Sequence, residues 1–168
     1  KFPEDHCKIH VLVYDISEAQ YYEIMKIRHN IYDLRDYLDD NNIFYSVAHP
    51  LYSVNNKLKQ EHYEKLIVLF NTFELNGCRS SNSNSVLRLL LENLTPDIID
   101  TLADKYNIKP ARNAWRKVFT AGSDDHTGIK IASKYTQTSE AASVREFLHK
   151  VCVEGKSTPM GDDFTPGD

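Results

Sequence analysis

Among the side chains of types that bind divalent metal ions, four stand out by their place in this sequence: His10, His49, Asp124 and His126. Imidazole and carboxylate together suit zinc, iron and manganese. Asp124 and His126 are two residues apart, a spacing that turns both side chains of a short extended segment the same way. Glu74 and Asn76 stand at the end of an apolar run, where they either orient ligands or substrate or simply close a strand. Each residue also has an ordinary reading. His10 could be a strand histidine satisfied by backbone; Pro50 could hold His49 extended; Asp124 and Asp125 could be turn formers after Gly122; and His126 could lie on the surface. The choice turns on whether the chain brings them to one place.

The elements that must do so follow from periodicity. Lys8 to Tyr14 (KIHVLVY) predicts a strand, and the capping-box spacing Ser17-x-x-Gln20 predicts that a helix follows it. Ile24, Ile27, Ile31, Leu34 and Leu38 recur at steps of three and four, which predicts one helix from about Glu18 to Asp39. Asn41-Asn42 closes that helix, and Ile43 to Ala48 predicts a buried strand that delivers His49-Pro50 at its end.

The alternation continues with a helix over Lys57 to Phe70, a strand over Thr72 to Leu75, and a Leu-rich helix over Ser85 to Asn93. Another helix starts at Thr95-Pro96 and ends near Asn107. Lys117 to Ala121 and Ile131 to Tyr135 read as strands around the loop Gly122 to Gly128, and Ser143-x-x-Glu146 opens a last helix that stops at Gly155. Strands alternating with helices imply a parallel α/β sheet or barrel. In such barrels ligands bind at the C-terminal ends of the strands, which is the address the four candidate ligands would share.

The segments Lys8-Ile9-His10-Val11-Leu12, Val47-Ala48-His49-Pro50, Phe73-Glu74-Leu75-Asn76-Gly77 and Gly122-Ser123-Asp124-Asp125-His126 resemble, in order, successive motifs of the PHP (polymerase and histidinol phosphatase) family. The last is the most specific: it is similar to the family's GSDAH signature with Asp125 in place of Ala. The likeness runs from about Lys8 to Gly161, the long helices matching by pattern only. It implies a distorted (β/α)7 TIM-like barrel, present here in part. It also implies two or three divalent ions (zinc, manganese or iron) and hydrolysis of a small phosphorylated metabolite or nucleotide by metal-activated water. Carried over residue by residue, His10 and His49 would ligate one metal, Asp124 another, and His126 a further ion or the shared cluster.

The family's opening HxH strand and its bridging glutamate have no counterpart in this sequence. The expectation is therefore a share of a metal site, inactive as a fragment, within a parent phosphoesterase. The alternative is a non-catalytic PHP-like module serving a structural or regulatory role in a larger protein.

Composition narrows the partners. The chain has 168 residues, 41% hydrophobic and 26% charged, which fits one domain over 1–168, with residues 156–168 read as an exposed tail. A net charge of −4 gives no basic footprint for nucleic acid. No apolar run suits a membrane span and the first residues do not resemble a signal peptide, so a cytoplasmic protein is expected. Cys7, Cys78 and Cys152 lack CxxC spacing and read as reduced packing thiols. A Cys78 nucleophile has no local signature to support it.

Overall fold

In the computed structural model, which describes residues 1–163, the apolar runs build a four-stranded mixed sheet with helices packed on it, beside a separate two-stranded sheet. The order is β1 (Val11–Tyr14), α1 (Glu18–Ile27), α2 (Ile31–Asp40), β2 (Phe44–Val47), α3 (Gln60–Leu69) and β3 (Thr72–Asn76). Then follow α4 (Ser81–Glu92), α5 (Pro96–Tyr106), β4 (Val118–Gly122), β5 (Lys134–Gln137), α6 (Val144–Cys152) and β6 (Thr158–Gly161). The sheet runs β1-β2-β3-β4 and is open; it does not close into a barrel. Strands β2, β3 and β4 are parallel, as the alternation of elements requires, but β1 pairs with β2 antiparallel, Val11 opposite Val47 and Tyr14 opposite Phe44.

The single helix expected from Glu18 to Asp39 is two. Ser17 completes its capping box with Gln20, and α1 ends at Ile27. Asn30 then starts α2 by accepting a hydrogen bond from the Tyr32 N–H through its side chain. The apolar steps run unbroken across the interruption because both helices lay the same stripe on the core: Leu34 and Leu38 are buried, with Ile24 and Ile27 packed against them. The expected strand at Ile131 begins instead at Lys134, and Thr158–Gly161 of the expected tail pairs antiparallel with it. Residues 164–168 of that tail lie outside the described residues.

One face of the sheet is apolar and the other is polar. Val47, Phe73, Leu75 and Phe119 belong to the main core cluster with Phe70, Leu66 and Leu87. Phe2, in a stretch that reads as charged and unremarkable, is fully buried in the same cluster. Each such side chain contributes roughly 1.5–3 kcal/mol on leaving water. The alternate residues Ser46, Glu74 and Thr120 are also buried, and the Ser46 and Thr120 hydroxyls satisfy each other at 2.6 Å. Cys7 is buried, and Cys78 and Cys152 are likewise free thiols. Among the described residues no helix is long and apolar enough to cross a membrane.

Candidate functional site

The reversed direction of β1 decides where His10 goes. The residue lies just before β1 rather than within it, and an antiparallel strand places its beginning beside the ends of its neighbours. His10 therefore stands next to His49, which follows the last residue of β2. The backbone carbonyl of His10 accepts from the Ala48 N–H at 3.0 Å, and His10 Nδ1 lies 3.1 Å from His49 Nε2. A barrel of uniformly parallel strands would have put His10 at the opposite end. The shared address expected from the sequence is reached by a different route.

Glu74 on β3 comes next. It is 5% exposed, and its Oε2 accepts from the His49 N–H at 3.1 Å and from the Asn76 side-chain amide at 2.9 Å. Asn76 is itself fixed, accepting from the Cys78 N–H at 2.9 Å and exchanging hydrogen bonds with Asn84. Burial pushes the Glu74 carboxyl above its ordinary value, the hydrogen bonds from Asn76 and His49 pull it down, and Asp124 nearby raises it further. Gly122 at the end of β4 is required by this arrangement: a Cβ there would lie 2.7 Å from Glu74 Oε1.

The loop after β4 holds the second pair. Asp124 Oδ1 is 3.2 Å from His126 Nε2, and the His126 side chain is 84% exposed. Asp125 is the turn former: its carboxylate accepts from the Thr127 N–H, the Thr127 hydroxyl and the Lys130 N–H. The Cys78 thiol donates to the Asp124 carbonyl at 3.2 Å, and burial raises its pKa, so it anchors the loop and is a poor nucleophile. Asp124 at φ +50° and His49 at φ +31° both sit in the left-handed region, a backbone cost that tends to collect at functional sites.

His10, His49, Glu74 and Asp124 line one groove of about 830 Å³, while His126 lies outside its lining and meets it only through Asp124. A groove of similar size, about 850 Å³, opens where α2 and α5 end, among Arg35, Asp39 and Tyr106, and holds none of the candidate ligands. Burial, then His10, hold the His49 imidazole below the ordinary histidine value, so it is a neutral donor at neutral pH. Two imidazole nitrogens bound about 2.0–2.1 Å from one tetrahedral ion would lie roughly 3.3 Å apart. The 3.1 Å His10–His49 separation fits adjacent positions on such an ion. Among the described residues no group of three or more His, Cys, Asp or Glu is arranged to hold a metal. The donors thus fit in type and pairwise spacing and are organised as two pairs.

Arg79 and Tyr52 complete the surroundings, and reading strand ends alone stops short of them. The Arg79 guanidinium carbon lies 3.9 Å over the Tyr52 ring, and one of its nitrogens is 3.9 Å from Asp124 Oδ2. Tyr52 meets the His49 ring edge to face at 5.5 Å. The available signal was position: Arg79 follows β3 by three residues, on the loop that already carries Cys78. No protein-family model matches the chain, and no curated protein or solved structure is significantly similar to it.

Proposed function

We propose that this chain forms part of the active site of a metal-dependent phosphoesterase of PHP type, in which further strands close the open sheet into a barrel. The observation that supports this reading is the convergence of His10, His49, Glu74 and Asp124 on one groove, with the two imidazoles 3.1 Å apart. His10 and His49 would hold one divalent ion, and Asp124 with His126 would contribute to another. A bound zinc, manganese or iron ion would supply charge to polarise a phosphoryl oxygen and make hydroxide available near neutral pH. The chain's own residues hold the donors ready. Glu74 fixes the His49 backbone, Asn76 fixes Glu74, and Cys78 fixes the Asp124 loop. The substrate would be a small phosphorylated metabolite or nucleotide.

The test is hydrolysis of p-nitrophenyl phosphate and of nucleoside monophosphates by the full-length protein, with and without manganese or zinc. Metal-dependent turnover that disappears in folded His49→Ala and Asp124→Ala variants is the expected result. Undiminished turnover in either variant overturns the assignment.

One observation favours a second reading, a PHP-like module kept for a structural or regulatory role. The donors form two pairs, and metal affinity rises with ligand number and geometry. That reading expects no hydrolysis from the full-length protein whatever metal is supplied.

A further inference from the structure

Next to the groove, and sharing His49 and Glu74 with it, is a smaller cavity of about 250 Å³ lined also by Tyr52, Arg79 and Asn84. The amides of its lining are hydrogen-bonded. Asn84 bonds to Asn76 and Asp163, and Asn76 to Glu74 and Cys78. The Nε of Arg79, by contrast, is buried and has no hydrogen-bond partner among the described residues. The Nη2 of the same guanidinium lies 3.9 Å from Asp124 Oδ2, beyond hydrogen-bond range.

A guanidinium presents five N–H donors in a planar fork that matches phosphate or carboxylate oxygens, and leaving a buried donor unmade costs about 1–3 kcal/mol. Arg79 is nonetheless held in place. Its plane lies over the Tyr52 ring at 3.9 Å, and the same ring packs against His49. Stacking restrains the rotamer without using the donors, which leaves the fork preorganised. The sign of the surroundings points the same way. Glu74 and Asp124 would repel a dianion, and Arg79 brings a positive charge to the same place, lining the small cavity with Glu74 and lying 3.9 Å from Asp124.

We propose that Arg79 receives the non-bridging oxygens of the substrate's phosphoryl group beside His49 and Asp124, with Tyr52 as the platform that aims it. This rests on the phosphoesterase reading and adds the anion-binding residue that reading lacks. The small cavity, about 250 Å³, has room for a phosphoryl head group. The remainder of the substrate then extends into the larger groove.

The test is titration with inorganic phosphate, followed by calorimetry or phosphorus NMR, without added metal. Saturable binding is expected, weakened about tenfold or more in Arg79→Ala, the usual scale for a charge-assisted contact. Arg79→Lys, which keeps the charge and loses the fork, should fall between, and it serves as the reading if Arg79→Ala does not fold. Arg112→Ala, in the other groove, should be silent. Phosphate binding equal in the wild type and both Arg79 variants, or no saturable binding by the folded wild type, overturns the proposal.

In the full-length protein, Arg79→Lys should raise KM for p-nitrophenyl phosphate more than it lowers kcat. An unchanged KM also counts against the proposal. Arg79-dependent phosphate binding without any metal-dependent hydrolysis would support the anion site and defeat the phosphoesterase reading.

Discussion

Burial raises the Glu74 carboxyl, and the hydrogen bonds from Asn76 and the His49 backbone offset only part of that shift. A folded-state pKa above the unfolded value means that the folded protein binds more protons between the two values. Stability is therefore lost as pH rises through the folded pKa, and at neutrality the Glu74 charge is a cost. Glu74→Gln keeps an acceptor for both N–H groups and removes the charge. It should raise the stability of the metal-free protein at pH 7 and flatten the fall from pH 4.5 upward, measured by urea unfolding. Equal or lower stability at pH 7 would show that the carboxylate is not strained.

Asp124 carries a second local cost, its φ of +50°. Asp124→Gly relieves it and Asp124→Ala does not, so the Ala variant should be less stable than the Gly variant by roughly 1–2 kcal/mol. Matching midpoints would contradict that. At this scale the sequence shows which residue types can bind metal, whereas Arg79 reaches the site through a stacking contact with Tyr52 that no spacing rule encodes.

Helix α3 ends against a lysine. Lys117 donates to the carbonyls of Ile67 and Phe70, two of those a helix C-terminus leaves without partners. Burial lowers the Lys117 ammonium to about 7. The unfolded chain therefore binds more protons from about pH 7 upward, and stability should rise with pH until the unfolded thiols ionise near 9. The slope is at most about 1.4 kcal/mol per pH unit for one proton. Urea unfolding between pH 6.5 and 8.5 should show this rise in the wild type and its loss in Lys117→Met; parallel curves would assign it to another group.

The elements themselves were largely legible. Apolar periodicity located the helices and strands, and capping residues such as Ser17 and Thr95 placed helix starts. It missed the break at Asn30 because Ile27 and Ile31 keep helical spacing across it, so only the cap residue marked the boundary. It also missed the direction of β1. Alternation of strands and helices implies parallel neighbours, but two helices separate β1 from β2 and the return is antiparallel.

For the whole molecule, the consequence is an open four-stranded sheet, one end of which gathers the candidate residues from before β1 and after β2 and β4. The mixed α/β class was readable from the order of elements, whereas closure depends on strand pairing beyond the sheet edge, which no local pattern specifies. The candidate ligands were legible by type, and their convergence required the three-dimensional fold. Glu74 stands behind them, holding the His49 N–H, while the nearby Asp124 disfavours its charge.

Binding of manganese is the most direct test of that convergence, read as loss of the free-ion electron paramagnetic resonance signal during titration of the folded protein at pH 7.5. The expected result is weak, saturable binding that is reduced at least tenfold in each of His10→Ala, His49→Ala and Asp124→Ala. Absence of binding by the wild type, or equal binding by all four proteins, would show that the groove does not gather a metal site.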